Sequence, residues 1–241
     1  LKYGFGLNEH GNLSILNSAS EYAYRLGIDN DLKFYRNKKT YQEIIYDMAE
    51  LDYRVDPYVL HLEEDDRQRA LGFFKKHRIS KKRPAIGLNT GSGKRFKTKQ
   101  WPPRHFSRLI DLLTSKLKAD VFLLGGPEEK ALNRALSETA RGRVFNTGND
   151  NSLLEFAGFV SLMDVVISSD SLAMHLAIAL GRRVVALFGS TCPQEIALYG
   201  RGTKIFAGVS CSPCYKSRCE EMTCMKAITA EQVFREIQKI L

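Results

Sequence analysis

Pro84-Ala85-Ile86-Gly87-Leu88-Asn89-Thr90-Gly91-Ser92-Gly93-Lys94-Arg95 is the stretch on which the reading of this chain turns. A short apolar run breaks into a turn carrying glycines, hydroxyls and cations, which reads as a buried strand running into a loop. Working outward, the same pattern recurs. Apolar strand candidates lie at 84–89, 120–125, 142–146, 164–169 and 183–188. Helical periodicity fills the gaps, most clearly in Phe106, Leu109, Ile110, Leu113 and Leu117. Ser152 and Glu155 have capping-box spacing ahead of Phe156 and Val160. Strands alternating with helices predict a parallel sheet covered on both faces, so 80–241 reads as a doubly wound α/β domain.

Upstream the pattern changes. Residues 1–60 read as an irregular Gly/Asn-rich opening followed by short amphipathic helices, one bearing Ala19, Tyr22, Ala23 and Leu26, the next starting at the Thr40–Glu43 capping box. They hold too few strands for a sheet domain of their own. Residues 63–78 suggest a connecting helix, acidic at its start and basic at its end, as the helix dipole favours.

The 241 residues are 44% hydrophobic and 26% charged, a globular balance, and no run is long enough to span a membrane. Net charge is +9, and from Lys75 to Arg104 there are eleven Lys or Arg and no Asp or Glu. Such a run suits an anionic partner or a solvated surface. The strand and Gly-rich turn inside it favour a phosphate site over a duplex-binding face, and no zinc-finger spacing or recognition-helix pattern supports nucleic acid.

In a doubly wound sheet, ligands bind beyond the carboxyl ends of the strands. Four turns at that edge carry polar residues. Asn89 to Lys99 offers Ser92 and several cations; it is no P-loop, because Leu88 stands where the first Gly belongs and Arg95 where Ser or Thr does. Gly125-Gly126-Pro127-Glu128-Glu129 offers carboxylates, either dipole partners or acceptors for ribose hydroxyls. Ser168-Ser169-Asp170-Ser171-Leu172-Ala173-Met174-His175 opens a helix, with Asp170 either an N-cap or a ligand group and free N–H groups suited to an anion. Gly189-Ser190-Thr191 closes the series. No nucleophile elbow is present, so a Ser-His-Asp hydrolase has little support.

The run Asn89 to Pro102, the Gly-Gly-Pro-Glu-Glu turn, and Asp170 to Ala177 leading to Ala186-Leu187-Phe188-Gly189 resemble the family 9 glycosyltransferases, the heptosyltransferases of lipopolysaccharide inner-core synthesis and their relatives. The blocks match in order and spacing over roughly 80–241. The resemblance implies a GT-B architecture: 1–62 the later part of an acceptor-side domain, 63–79 a linker helix, 80–227 a donor-binding domain, and 228–241 a helix crossing back, its Val233, Ile237 and Leu241 stripe facing residues 1–60. It implies a donor such as ADP-heptose and a lipid-linked saccharide acceptor at the inner membrane surface of the cytoplasm, with transfer by inversion and no cofactor for the chemistry. Lys99 would meet the donor phosphate or sugar, Glu129 (or Glu128) the ribose, and Asp170 the sugar hydroxyls. The N–H groups of Ser171 and Leu172 would take the pyrophosphate, with Ser92 beside it and His175 lining the site.

Two departures stand out. Leu172 replaces a glycine common in the family, which bears on the choice of heptose. The family's Gly-rich acceptor loop and catalytic Asp have no counterpart, so about a hundred residues, the scale of a small domain, are expected ahead of Leu1. A non-catalytic nucleotide-sugar-binding module and a nucleotide-sugar epimerase on the same scaffold are the rival readings. Cys211, Cys214, Cys219 and Cys224 form a dense cluster open to three readings, a structural metal or cluster, disulfides, or free or mixed thiols, and it reads as a staple for a loop rather than part of the chemistry.

Overall fold

The computed structural model describes residues 2–241 in two compact units: 2–56 with 192–197, and 57–191 with 198–241. The first unit opens with an antiparallel hairpin, β1 (Phe5–Leu7) and β2 (Leu13–Ile15), where the sequence suggests an irregular start. Asn8, Gly11 and Asn12 supply the turn, with Asn8 Oδ1 accepting from the His10 and Asn12 amides. α1 (Glu21–Ile28) and α2 (Tyr41–Met48) follow, and Leu26, Leu32 and Ile44 form a small core. The expected capping box closes the start of α2: Thr40 accepts from the Glu43 amide and the Glu43 carboxylate accepts from the Thr40 amide.

The second unit begins with α3 (Glu64–Lys76), β3 (Ala85–Asn89), α4 (Pro103–Lys116), β4 (Asp120–Leu124), α5 (Lys130–Thr139) and β5 (Val144–Asn146). It continues with α6 (Leu153–Ser161), β6 (Val165–Ser169), α7 (Leu172–Ala179), β7 (Arg183–Phe188), β8 (Gly202–Phe206), α8 (Thr223–Ala227) and α9 (Ala230–Ile240). All strand pairs are parallel, in the order β5-β4-β3-β6-β7-β8. This is the doubly wound arrangement, whose winding reverses between β3 and β6. The five expected strands are present to within two residues at each end. The sixth, β8, was missed because it is an edge strand: of its residues only Ile205 is buried, so the sequence lacks a long apolar run there.

Side chains alternate between the sheet faces. Ile86, Leu88, Val121, Leu123, Val165, Ile167, Val185 and Leu187 meet α4 and α9 in one core. On the other face Phe122 stacks on Phe74 of α3 at 5.0 Å and on Phe145 at 5.3 Å. Two expectations are corrected here. α3 is not a free linker but a member of the second unit, packed against α6 so closely that a Cβ on Gly158 would stand 2.3 Å from the Asp66 carbonyl oxygen. The stripe on α9 does not turn toward residues 1–60: Val233, Phe234 and Ile237 are buried in the core shared with α4 and the sheet. Burying that apolar face against α4 satisfies it fully, leaving only the terminal Leu241 exposed. Among the described residues no helix is long and apolar enough to cross a membrane.

The close α3–α6 contact gives a paired test. Gly158→Ala should cost about 1–3 kcal/mol through overpacking against backbone. Gly72→Ala, on the exposed face of α3 with nothing near its Cβ, should instead stabilise by about 0.5–1 kcal/mol. Urea denaturation of the two variants would show equal effects only if α3 did not pack on α6.

Candidate functional site

The turns after β3, β4 and β6 enclose a cavity of about 630 Å³ at the carboxyl edge of the sheet. It lies at the reversal of winding, where two neighbouring loops run to opposite sides of the sheet and leave a crevice. Ser92, Lys99, Glu129, Asp170, Ser171, Leu172 and His175, the residues singled out from the sequence, all line it.

Asn89, the last residue of β3, ties the crevice together. Its side-chain amide, buried, donates to the Gly91 carbonyl (2.7 Å) and to the hydroxyls of Ser171 (3.1 Å) and Ser168 (3.2 Å). The Ser168 hydroxyl donates to the Ser169 carbonyl at 2.7 Å, so across the 2.9 Å contact it accepts from Ser171. Ser171 is the N-cap of α7, but its hydroxyl is engaged in this network and makes no cap bond. The first N–H groups of α7 therefore keep their affinity for an anion.

Asp170 is thus not the N-cap. Its Oδ2 accepts from Lys99 Nζ at 2.8 Å, with both side chains only about 15% exposed. Lys99 also lies over the Phe96 ring, 5.0 Å from its centroid. Asp170 Oδ1 is 3.8 Å from His175 Nε2, and His175 Nδ1 is 3.0 Å from the Tyr58 hydroxyl. Burial holds the His175 pKa below its usual value, aided by Lys99 and opposed by Asp170. Burial, with Asp170 second, pushes the Tyr58 pKa up to about 12. Sequence reasoning missed Tyr58, since a lone Tyr in an irregular segment carries no pattern.

Glu129 stands on the opposite side. Its Oε2 accepts from the Gly126 amide at 2.9 Å, and the carboxylate presses on Gly91, where a Cβ would come within 2.4 Å of Glu129 Cδ. That closeness explains the glycine. Glu128 pairs with Lys94 at 3.1 Å and does not line the cavity, so geometry separates the two candidates left open by the sequence. Asn151, Ser152, Leu153 and Phe156, around the start of α6, also line the cavity and were not among the expected site residues.

The fourth turn, Gly189–Thr191, supports the site without lining it. The Ser190 carbonyl accepts from the amides of Cys214 (3.0 Å) and Tyr215 (2.8 Å), and the Ser190 hydroxyl bonds Thr98 at 3.0 Å. The Thr98 hydroxyl also contacts the Lys216 carbonyl at 2.6 Å, and the Lys97 amide donates to the Ser217 carbonyl at 3.1 Å. The cysteine-rich segment therefore straps the Lys97–Lys99 turn in place through its backbone. None of the four sulfurs is in a disulfide: Cys211 and Cys219 are exposed and Cys224 is buried. Among the described residues no group of three or more His, Cys, Asp or Glu is placed to hold a metal ion.

These turns have known counterparts. The glycosyltransferase family 9 (heptosyltransferase) model matches residues 24–225. The chain belongs to glycosyltransferase family 9. Lipooligosaccharide heptosyltransferase 2 of Haemophilus influenzae is 28% identical over 181 residues, which cover 68% of this chain and 51% of that protein. The chain spans about half the length of the curated relatives it matches. A family 9 glycosyl transferase from Veillonella parvula shares the fold with a TM-score of 0.73 and 21% identity, over 85% of this chain and 60% of that one. Escherichia coli heptosyltransferase WaaC, solved with ADP-2-deoxy-2-fluoro heptose, has a TM-score of 0.53 and 18% identity, over 82% and 54%.

The lowered His175 pKa sets a pH dependence. The fold favours neutral imidazole, so the unfolded chain takes up the proton first, and stability falls as pH drops below about 6.5 toward the folded pKa. Wild type should lose more urea stability between about pH 7.5 and 5.5 than His175→Gln does. Equal losses would mean that His175 titrates as an ordinary exposed histidine.

Proposed function

We propose that this chain carries the donor side of a glycosyltransferase that moves heptose from ADP-heptose to a lipopolysaccharide core acceptor with inversion. The observation that carries this reading is the convergence of Lys99, Asp170, Glu129 and the uncapped start of α7 on one cavity. Membership of family 9 and the ADP-sugar in the WaaC structure support ADP-heptose as the donor in this reading. The relatives' names and the family support a lipopolysaccharide core as the acceptor, which the proposal sets at the cytoplasmic surface of the inner membrane.

Each group has a role in the proposal. Breaking the anomeric bond leaves negative charge on the diphosphate, which the α7 N–H groups and the Lys99 ammonium stabilise as it develops. Lys99 turns from the Asp170 carboxylate toward the diphosphate, and Asp170 is then free to accept from the sugar hydroxyls. The Glu129 carboxylate, fixed by the Gly126 amide, accepts from the ribose hydroxyls. Leu172, 56% exposed at the mouth of the cavity, lies where it would face the sugar. A base must take the proton from the attacking acceptor hydroxyl. None of the residues assigned here fills that role.

Calorimetric titration with ADP-, UDP- and GDP-sugars should show preference for the ADP series. Asp170→Ala should weaken binding of the intact ADP-sugar roughly ten- to a hundredfold, the value of hydrogen bonds to a charged acceptor, and ADP binding much less. Lys99→Ala should weaken both, because the diphosphate is common to both ligands. Equal losses for the two ligands on Asp170→Ala would leave Asp170 as a partner for Lys99 with no part in sugar binding.

A further inference from the structure

Tyr58 lies in the irregular segment 57–63, which runs beside α7; the Leu60 amide donates to the Ala179 carbonyl at 3.4 Å. Its ring packs edge-on against Tyr199, with centroids 6.1 Å apart, and its hydroxyl reaches His175 Nδ1 at 3.0 Å. A neutral imidazole carries one proton, so this contact has two versions. If Nδ1 held the proton, the bare Nε2 lone pair would face the Asp170 carboxylate 3.8 Å away, which is repulsive. If Nε2 holds it, the N–H points toward that carboxylate and Nδ1 accepts from the phenol. The second version satisfies Nδ1 and removes the repulsion at Nε2.

We propose that Tyr58 is a positioning residue: its hydroxyl donates to His175 Nδ1 and fixes the Nε2–H tautomer, so that the ring offers a proton donor to an anionic oxygen of a diphosphate bound beside Lys99 and Asp170. At 3.8 Å the Nε2–H is beyond hydrogen-bond reach of Asp170 and remains available to a ligand. Burial, with Asp170 second, keeps the phenol protonated, and burial, opposed by Asp170 and aided by Lys99, favours the neutral imidazole. The His175 side chain, 44% exposed, lines the cavity with Asp170 and Leu172. The tautomer belongs to the free protein; only the ligand half of the inference rests on the proposed function.

The test uses histidine-15N-labelled protein at about pH 7.5, above the ordinary imidazole pKa. Long-range 1H–15N spectra, assigned by loss of one signal set in His175→Gln, should show His175 protonated at Nε2 alone. Tyr58→Phe keeps the ring and removes the hydroxyl, so it should give a mixture of tautomers. Affinity for ADP should then fall in proportion to the lost Nε2–H fraction, about two- to fivefold. Tyr58→Leu, which also removes the ring packing, should give the same mixture of tautomers if the hydroxyl alone sets it.

An Nδ1–H tautomer in wild type, or an unchanged tautomer in Tyr58→Phe, overturns the inference whether or not ADP binds. A shifted tautomer with unchanged affinity overturns its ligand half. Inorganic pyrophosphate serves as the second probe. A chain that binds pyrophosphate and not ADP sinks the nucleotide reading, and the Tyr58 effect is then scored on pyrophosphate.

Discussion

Winding reverses between Asn89 at the end of β3 and Ser169 at the end of β6, and the cavity depends on that reversal. Loops leaving adjacent parallel strands normally follow one another over the same face. Here they part, so the carboxyl edge opens between them. An opening of this kind exposes polar groups at and just beyond the strand ends, and the two N–H donors of the Asn89 side chain are shared among three of them. By occupying the Ser171 hydroxyl this side chain also removes the cap that α7 would otherwise have. The same hydrogen bonds thus hold the edge together and leave the helix start available for an anion.

The Lys99–Asp170 pair follows from the same geometry. Two side chains this little exposed would each be costly if left unpaired in a partly dry cavity, so in the free chain they neutralise one another. The pair contributes little net stability once desolvation is counted. Its value is that both charges are held in place at the site without collapse of the cavity. A diphosphate offers Lys99 more negative charge than one carboxylate does, and sugar hydroxyls offer Asp170 donors in return.

Much of this was readable from the residues. The strand–turn–helix alternation from Pro84 onward follows from apolar runs of strand length, and each run closes in a polar turn. The seven candidate ligand residues lie together because topology alone brings such turns to one edge. What was not readable depends on contacts remote in sequence. Tyr58 meets His175 across 117 positions, and the strap from Cys214 to Ser217 holds Thr98 through backbone groups that leave no mark on side-chain pattern. The α9 stripe was read correctly as apolar but sent to the wrong partner, because periodicity shows that a helix face is buried and not what buries it.

The cysteine cluster shows the same limit from the other side. Its spacing invites a sulfur-based explanation, yet the segment is fastened by the Ser190 carbonyl, the Thr98 hydroxyl and the Lys97 amide. Those bonds bear on the turn that ends in Lys99. Lys99 needs to be held at its base while its ammonium stays able to exchange Asp170 for a ligand. Backbone bonds to residues 97 and 98 meet both needs, because they fix the turn and leave the long side chain of residue 99 its freedom. A rigid turn beneath a mobile charge is what a diphosphate site at this edge requires.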